Sequence, residues 1–148
     1  MSDTEIEAIT LRARQFRAAL EACDRSLLPI SFQEFPRGSC GDAALLLGRY
    51  LQDCGLGPFN YVCGSIREEG GRDFHSHAWL QRGDIIVDIT ADQFDEISEP
   101  VIVTRDHSWH DRFDGKVRNI ADYKIYDANT KSVLSAVYRN VVTHISDL

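Results

Sequence analysis

Three side chains in this sequence have the types and order of a nucleophile, its base and an orienting acid. They are Cys40 in Pro36-Arg37-Gly38-Ser39-Cys40-Gly41-Asp42, His77 in His77-Ala78-Trp79, and Asp88 in Asp88-Ile89-Thr90. A free thiol has a pKa of about 8.5 and is mostly protonated at neutral pH. A helix N-terminus beside the sulfur, or a nearby imidazolium, favours the reactive thiolate. A carboxylate on the far ring nitrogen fixes the histidine tautomer and stabilises its charged form. The backbone N–H of a cysteine that opens a helix can donate to the oxyanion of a tetrahedral intermediate. Gln33 and Gln93 are candidates for a second oxyanion donor, because both fall in loops within reach of the thiol.

Other readings of the same residues compete. Asp42 falls in the first turn behind Cys40, where a carboxylate complements the helix dipole and opposes thiolate formation, so it has no catalytic role. His75 shares a strand face with His77. Cys40, His75 and His77 are an alternative zinc set, but spacing places no fourth ligand, and the helix-mouth thiol needs no metal to explain it. No metal and no cofactor is expected. His107, His110 and His144 have no partner logic and read as surface or core residues. Trp79 is expected next to the site, as aromatic bulk that shields the imidazole from water.

The elements that must position these groups are legible from periodicity. Ser2-Asp3-Thr4-Glu5 has the form of a capping box, and Ile6, Ile9, Ala13, Phe16, Leu20 and Cys23 form one apolar stripe behind it. A loop from Leu28 to Gly38 delivers the chain to Cys40. Cys40, Ala44, Leu47, Leu51 and Cys54 then step by four and three, and Gly55 supplies a stop. Phe59 to Ile66, Phe74 to Gln81, Asp84 to Thr90 and Val101 to Thr104 read as strands, with a turn over Glu68 to Arg72. Residues 105–128 are polar and aromatic with weak periodicity. Val133, Leu134, Val137, Val141 and Ile145 mark a closing helix.

A two-residue turn at Arg82-Gly83 would pair Gln81 with Asp84 and, in the same register, His77 directly with Asp88. Residues so opposed have Cβ atoms about 4.5–5.5 Å apart. It also gathers Ala78, Leu80, Ile85, Val87 and Ile89 on the other face. A three-residue turn would set His77 against Val87 and spoil that apolar face, so hydrophobic pattern favours the first register.

The chain has 148 residues, 43% hydrophobic and 26% charged, with no repeat or linker, which suits one domain over residues 1–148. A net charge of −7 and the lack of a basic stripe exclude a nucleic-acid partner. Arg12, Arg14 and Arg17 read as a solvated helix face. No apolar run is long enough for a membrane span, and the acidic N-terminus is unlike a secretory signal, so a cytoplasmic protein is expected. Cys23, Cys54 and Cys63 form no CxxC pair and read as small core residues.

Gly38-Ser39-Cys40-Gly41-Asp42-Ala43-Ala44-Leu45-Leu46, Gly55-Leu56, Val62-Cys63-Gly64, His77-Ala78-Trp79 and Asp88-Ile89-Thr90 together resemble the transglutaminase-like core of the papain-like thiol enzymes. The likeness covers about residues 36–94. It implies an α+β fold in which a Cys-bearing helix packs on a mainly antiparallel sheet, here between N- and C-terminal helices. It implies Cys40 as nucleophile, His77 as base and Asp88 as orienting acid. The turn between the two strands is shorter than is usual in that family. The family spans acyl transferases, proteases, deamidases and inactive members. The expected function is therefore a cysteine-dependent acyl-group enzyme acting on an amide of a peptide or protein, through a thioester on Cys40. The alternative is a non-catalytic peptide- or protein-binding module on the same fold.

Overall fold

The computed structural model describes residues 2–67 and 74–145. The chain begins with helix α1, Asp3–Ala22, where the Ser2 hydroxyl accepts from the Glu5 backbone N–H at 3.2 Å. Ile9, Ala13, Phe16 and Leu20 are buried, and Cys23 caps the last turn with its thiol on the Ala19 carbonyl. This is the apolar stripe expected from spacing. The expectation of a solvated arginine face fails at Arg17, which is only 7% exposed. Its guanidinium donates to both Asp92 carboxylate oxygens (2.8 and 2.9 Å), to the Ile89 and Pro100 carbonyls, and to Glu21. A buried charge persists when it is paired and fully hydrogen-bonded, and no periodicity announces such partners.

Two short 3₁₀ turns, Arg25–Leu27 and Ile30–Phe32, carry the chain to helix α2, Cys40–Asp53. Ala44, Leu47 and Leu51 are buried on its inner face, and Gly55 follows with φ +79° in the left-handed region that ends helices. Gly48 is obligatory for another reason: a side-chain carbon there would overlap the Ala121 backbone and side chain. Helix α3, Ala128–Thr143, is capped by Asp127 and buries Leu134, Val137 and Val141. Val133 of the expected stripe faces outward.

The fold is α+β. Five strands, β1 (Asn60–Arg67), β2 (Phe74–Arg82), β3 (Ile85–Asp88), β4 (Ile102–Thr104) and β5 (Lys116–Ile120), form an antiparallel sheet in the order β4-β3-β2-β1-β5. The turn expected over Glu68 to Arg72 lies outside the described residues. β5 lies within residues 105–128, whose sequence has only weak periodicity. Its residues are mostly exposed, so no buried face gives it an alternating pattern.

The register of the β2–β3 hairpin differs from the expected one. Arg82 pairs with Ile85, Gln81 with Ile86 and Leu80 with Val87, around a two-residue loop of Gly83 and Asp84. Gly83, at φ +59°, takes the first central place, as in a type II′ turn. His77 therefore does not stand directly opposite Asp88 but diagonally across the hairpin. The slip is two residues, and two residues preserve the face. The hydrophobic pattern could not distinguish these registers, because both put the same residues inward; the φ > 0 that Gly83 alone tolerates decided it.

The sheet is buried on both faces. Against the helices lie Tyr61, Leu80, Ile85 and Val87, continuous with the main core. The opposite face carries a smaller aromatic cluster of Val62, Trp79, Ile86 and Phe113, with Ile66, Phe94 and Trp109 against it. Among the described residues, no helix is long and apolar enough to cross a membrane.

Candidate active site

His77, Asp88 and His110 are all buried, and they meet on the aromatic face of the sheet. His77 Nε2 lies 2.7 Å from Asp88 Oδ2, and His110 Nε2 lies 2.7 Å from the same oxygen. The Thr90 backbone N–H donates to Asp88 Oδ1 at 3.0 Å. Each oxygen of this buried carboxylate therefore has partners, as its burial demands. Asp88 occupies His77 Nε2, which leaves Nδ1 as the other ring nitrogen. There the Gln93 amide nitrogen approaches to 3.2 Å.

Burial pulls the His77 pKa down, but the charge and hydrogen bond of Asp88 outweigh it. The Cys40 thiol adds to the rise, and the net result is a pKa pushed up to about 9. Burial likewise opposes ionisation of Asp88. The charge of His77 and the bonds from His110 and His77 prevail and hold the carboxyl well below the usual range. An ion pair is thus the resting form of His77 and Asp88 at neutral pH.

Cys40 is half-buried at the first position of α2, with Ser39 as the residue that starts the helix. Cys40 and His77 line one groove of about 330 Å³, together with Gly41, Tyr61, Cys63 and Arg118. Gly64 of β1 pairs with His77, and a side chain there would overlap the Phe113 carbonyl and Gly115. This close approach brings the 3₁₀ turn His110–Phe113 against β1 and so delivers His110 to Asp88.

Of the two glutamines considered as oxyanion donors, Gln93 touches the imidazole, whereas the Gln33 amide is spent on the carbonyls of Arg25, Leu28 and Pro29. Trp79 lies behind His77, its ring tilted by 36° at 5.8 Å between centroids, and is 3% exposed, so it backs the imidazole and does not line the groove. His75 is exposed, edge-on to Phe94 at 6.4 Å. Asp42 accepts from the Ser31 hydroxyl at 2.8 Å. Cys63 departs from the expected core role: its half-buried sulfur opens to the groove and accepts from Arg118 Nε at 3.1 Å.

His110, for which the sequence names no partner, has a specific one in Asp88. The only local hint is the density of aromatic residues around it, Trp109, His110 and Phe113, in an otherwise polar stretch. Its Nδ1 and the Trp79 indole nitrogen are buried without hydrogen-bond partners. Among the described residues, the group with metal-ligand chemistry is His77, Asp88 and His110, whose ligand atoms lie within 4.8 Å of one another. The set Cys40, His75 and His77 is not such a group. A metal between the three would have to break both 2.7 Å histidine–aspartate contacts.

No family model matches the chain, and neither does any curated protein or solved structure.

Proposed function

We propose that this protein is a cysteine-dependent acyl-group enzyme, built as a papain-like domain of the transglutaminase-like kind, that acts on an amide of a peptide or protein. The observation that carries this reading is the shared groove. The Cys40 thiol lies beside an imidazole that Asp88 keeps charged through the neutral range. An imidazolium next to a sulfur at a helix mouth favours the thiolate.

The thiolate attacks the amide carbonyl carbon. A sulfur–carbon bond forms and the π pair moves to oxygen, where the Cys40 N–H can receive it. Collapse expels the amine, which takes the His77 proton and leaves a thioester on Cys40. The now neutral imidazole takes a proton from water as that water attacks the thioester. Acid and thiolate are released, and His77 regains its charge. Hydrolysis is favoured over transfer to an amine, because a small open groove has little to keep water from the acyl-enzyme.

The test is the rate of Cys40 alkylation by iodoacetamide against pH, assigned by mass spectrometry, in wild type and His77→Ala. Fast alkylation through the neutral range, lost in the variant, is the expected result. A wild-type rate that rises only near pH 8.5 and ignores the substitution would fit an ordinary thiol and a non-catalytic binding module.

A further inference from the structure

The geometry points to Tyr61 as the second oxyanion donor, its hydroxyl completing with the Cys40 N–H the pocket for the substrate's carbonyl oxygen. The inference rests on the function proposed above and deepens it.

Three observations converge on this side chain. First, Tyr61 projects from β1 on the helix-side face and lines the groove with Cys40 and His77. Second, its hydroxyl oxygen stands 2.8 Å from where a Cβ on Gly41 would lie. The phenol thus reaches the first turn of α2 only because residue 41 has no side chain. This gives the Cys40-Gly41 pair a physical reason that helix formation does not supply, since glycine weakens a helix relative to alanine. Third, the hydroxyl has no hydrogen-bond partner among the described residues, although the side chain is half-buried. A donor held beside a nucleophile with its proton uncommitted is what a developing oxyanion requires.

The hydroxyl is also kept protonated. Burial, and then the neighbouring Cys63 and Cys40 sulfurs, push it above the usual phenol range. It therefore remains a donor across the whole working range of a thiolate–imidazolium pair. Gln33 is spent on loop carbonyls and Gln93 on the imidazole, so neither competes for the role.

Two reagents separate this role from activation of the thiol. p-Nitrophenyl acetate acylates a thiolate by addition to a carbonyl: the sulfur–carbon bond forms, an oxyanion develops, and p-nitrophenolate leaves. Iodoacetamide loses iodide from a saturated carbon and develops no oxyanion. In Tyr61→Phe, acetylation of Cys40 is expected to fall by about 10²–10³-fold, the usual cost of one lost donor, while alkylation keeps the wild-type rate and pH profile. Gly41→Ala keeps the phenol but displaces its hydroxyl, and the same one-sided loss is expected. Unchanged acetylation in Tyr61→Phe would overturn the inference, and so would an equal loss with both reagents, which would make Tyr61 a support for the thiol. A wild-type Cys40 that p-nitrophenyl acetate does not acylate overturns the proposed function itself, and the inference with it.

Discussion

The central residue-scale fact is that one buried carboxylate oxygen serves two histidines. Asp88 Oδ2 holds His77 Nε2 and His110 Nε2 at equal 2.7 Å distances. Removing the carboxylate strands two imidazoles in an aromatic pocket, so Asp88→Ala is expected to lose about 3–5 kcal/mol of stability by urea unfolding. The pH dependence follows from the same pair. The His77 pKa is raised from 6.5 to about 9, so its contribution is complete below pH 6.5 and lost as pH rises through about 9. The Asp88 pKa is lowered from 3.8, so its share is complete above that value and lost only in stronger acid. These are one interaction seen from its two partners. The urea midpoint is expected to decline between pH 6.5 and 9 in wild type. In Asp88→Asn that decline flattens, and a decline of undiminished size would show that His77 does not titrate through Asp88.

At the scale of elements, two glycines decide how closely secondary structures approach. Gly48 lets α2 lie on the backbone at Ala121, and Gly64 lets the turn carrying His110 lie on β1. Neither has positive φ, so the constraint is space and not backbone conformation. Gly48→Ala is expected to cost about 1–3 kcal/mol by overpacking, with Cys40 alkylation unchanged in the folded fraction. Gly64→Ala is expected to push the His110 turn away from the sheet. Its signature is an altered His110 imidazole resonance and a His77 titration shifted from wild type by NMR, because Asp88 Oδ2 loses one of its two histidine partners. A His110 resonance that stays in place would mean the turn is held by its aromatic contacts alone.

At the scale of the molecule, the sheet separates two unequal interiors, a helical core and a small aromatic cluster that encloses His77 and His110. The segment from Ile89 to Pro100, which carries Gln93, is fastened to α1 by Arg17. Arg17→Ala is expected to destabilise the whole domain by about 3–5 kcal/mol in urea, since it leaves Asp92 without its partner. It should also raise hydrogen-exchange rates in the 89–100 segment before those of α2. Uniform exchange across the domain would show that the segment does not depend on this tie.

The α+β class, the three helices, four of the five strands and the Cys40 helix mouth were legible in the sequence, the helices from buried stripes at a helical period and the strands from short β-rich runs between turn residues. The side of the hairpin on which His77 and Asp88 lie was legible from the apolar residues gathered on the other face. Tertiary structure alone decided the rest. The hairpin register moved by two residues because the apolar pattern is blind to even shifts, and the backbone of Gly83 broke the tie. β5 and the His110 turn were hidden because an exposed edge strand and a short 3₁₀ turn carry no sustained period. Arg17, Tyr61 and His110 owe their surroundings to residues distant in the chain, and partners so distant are brought together only by packing.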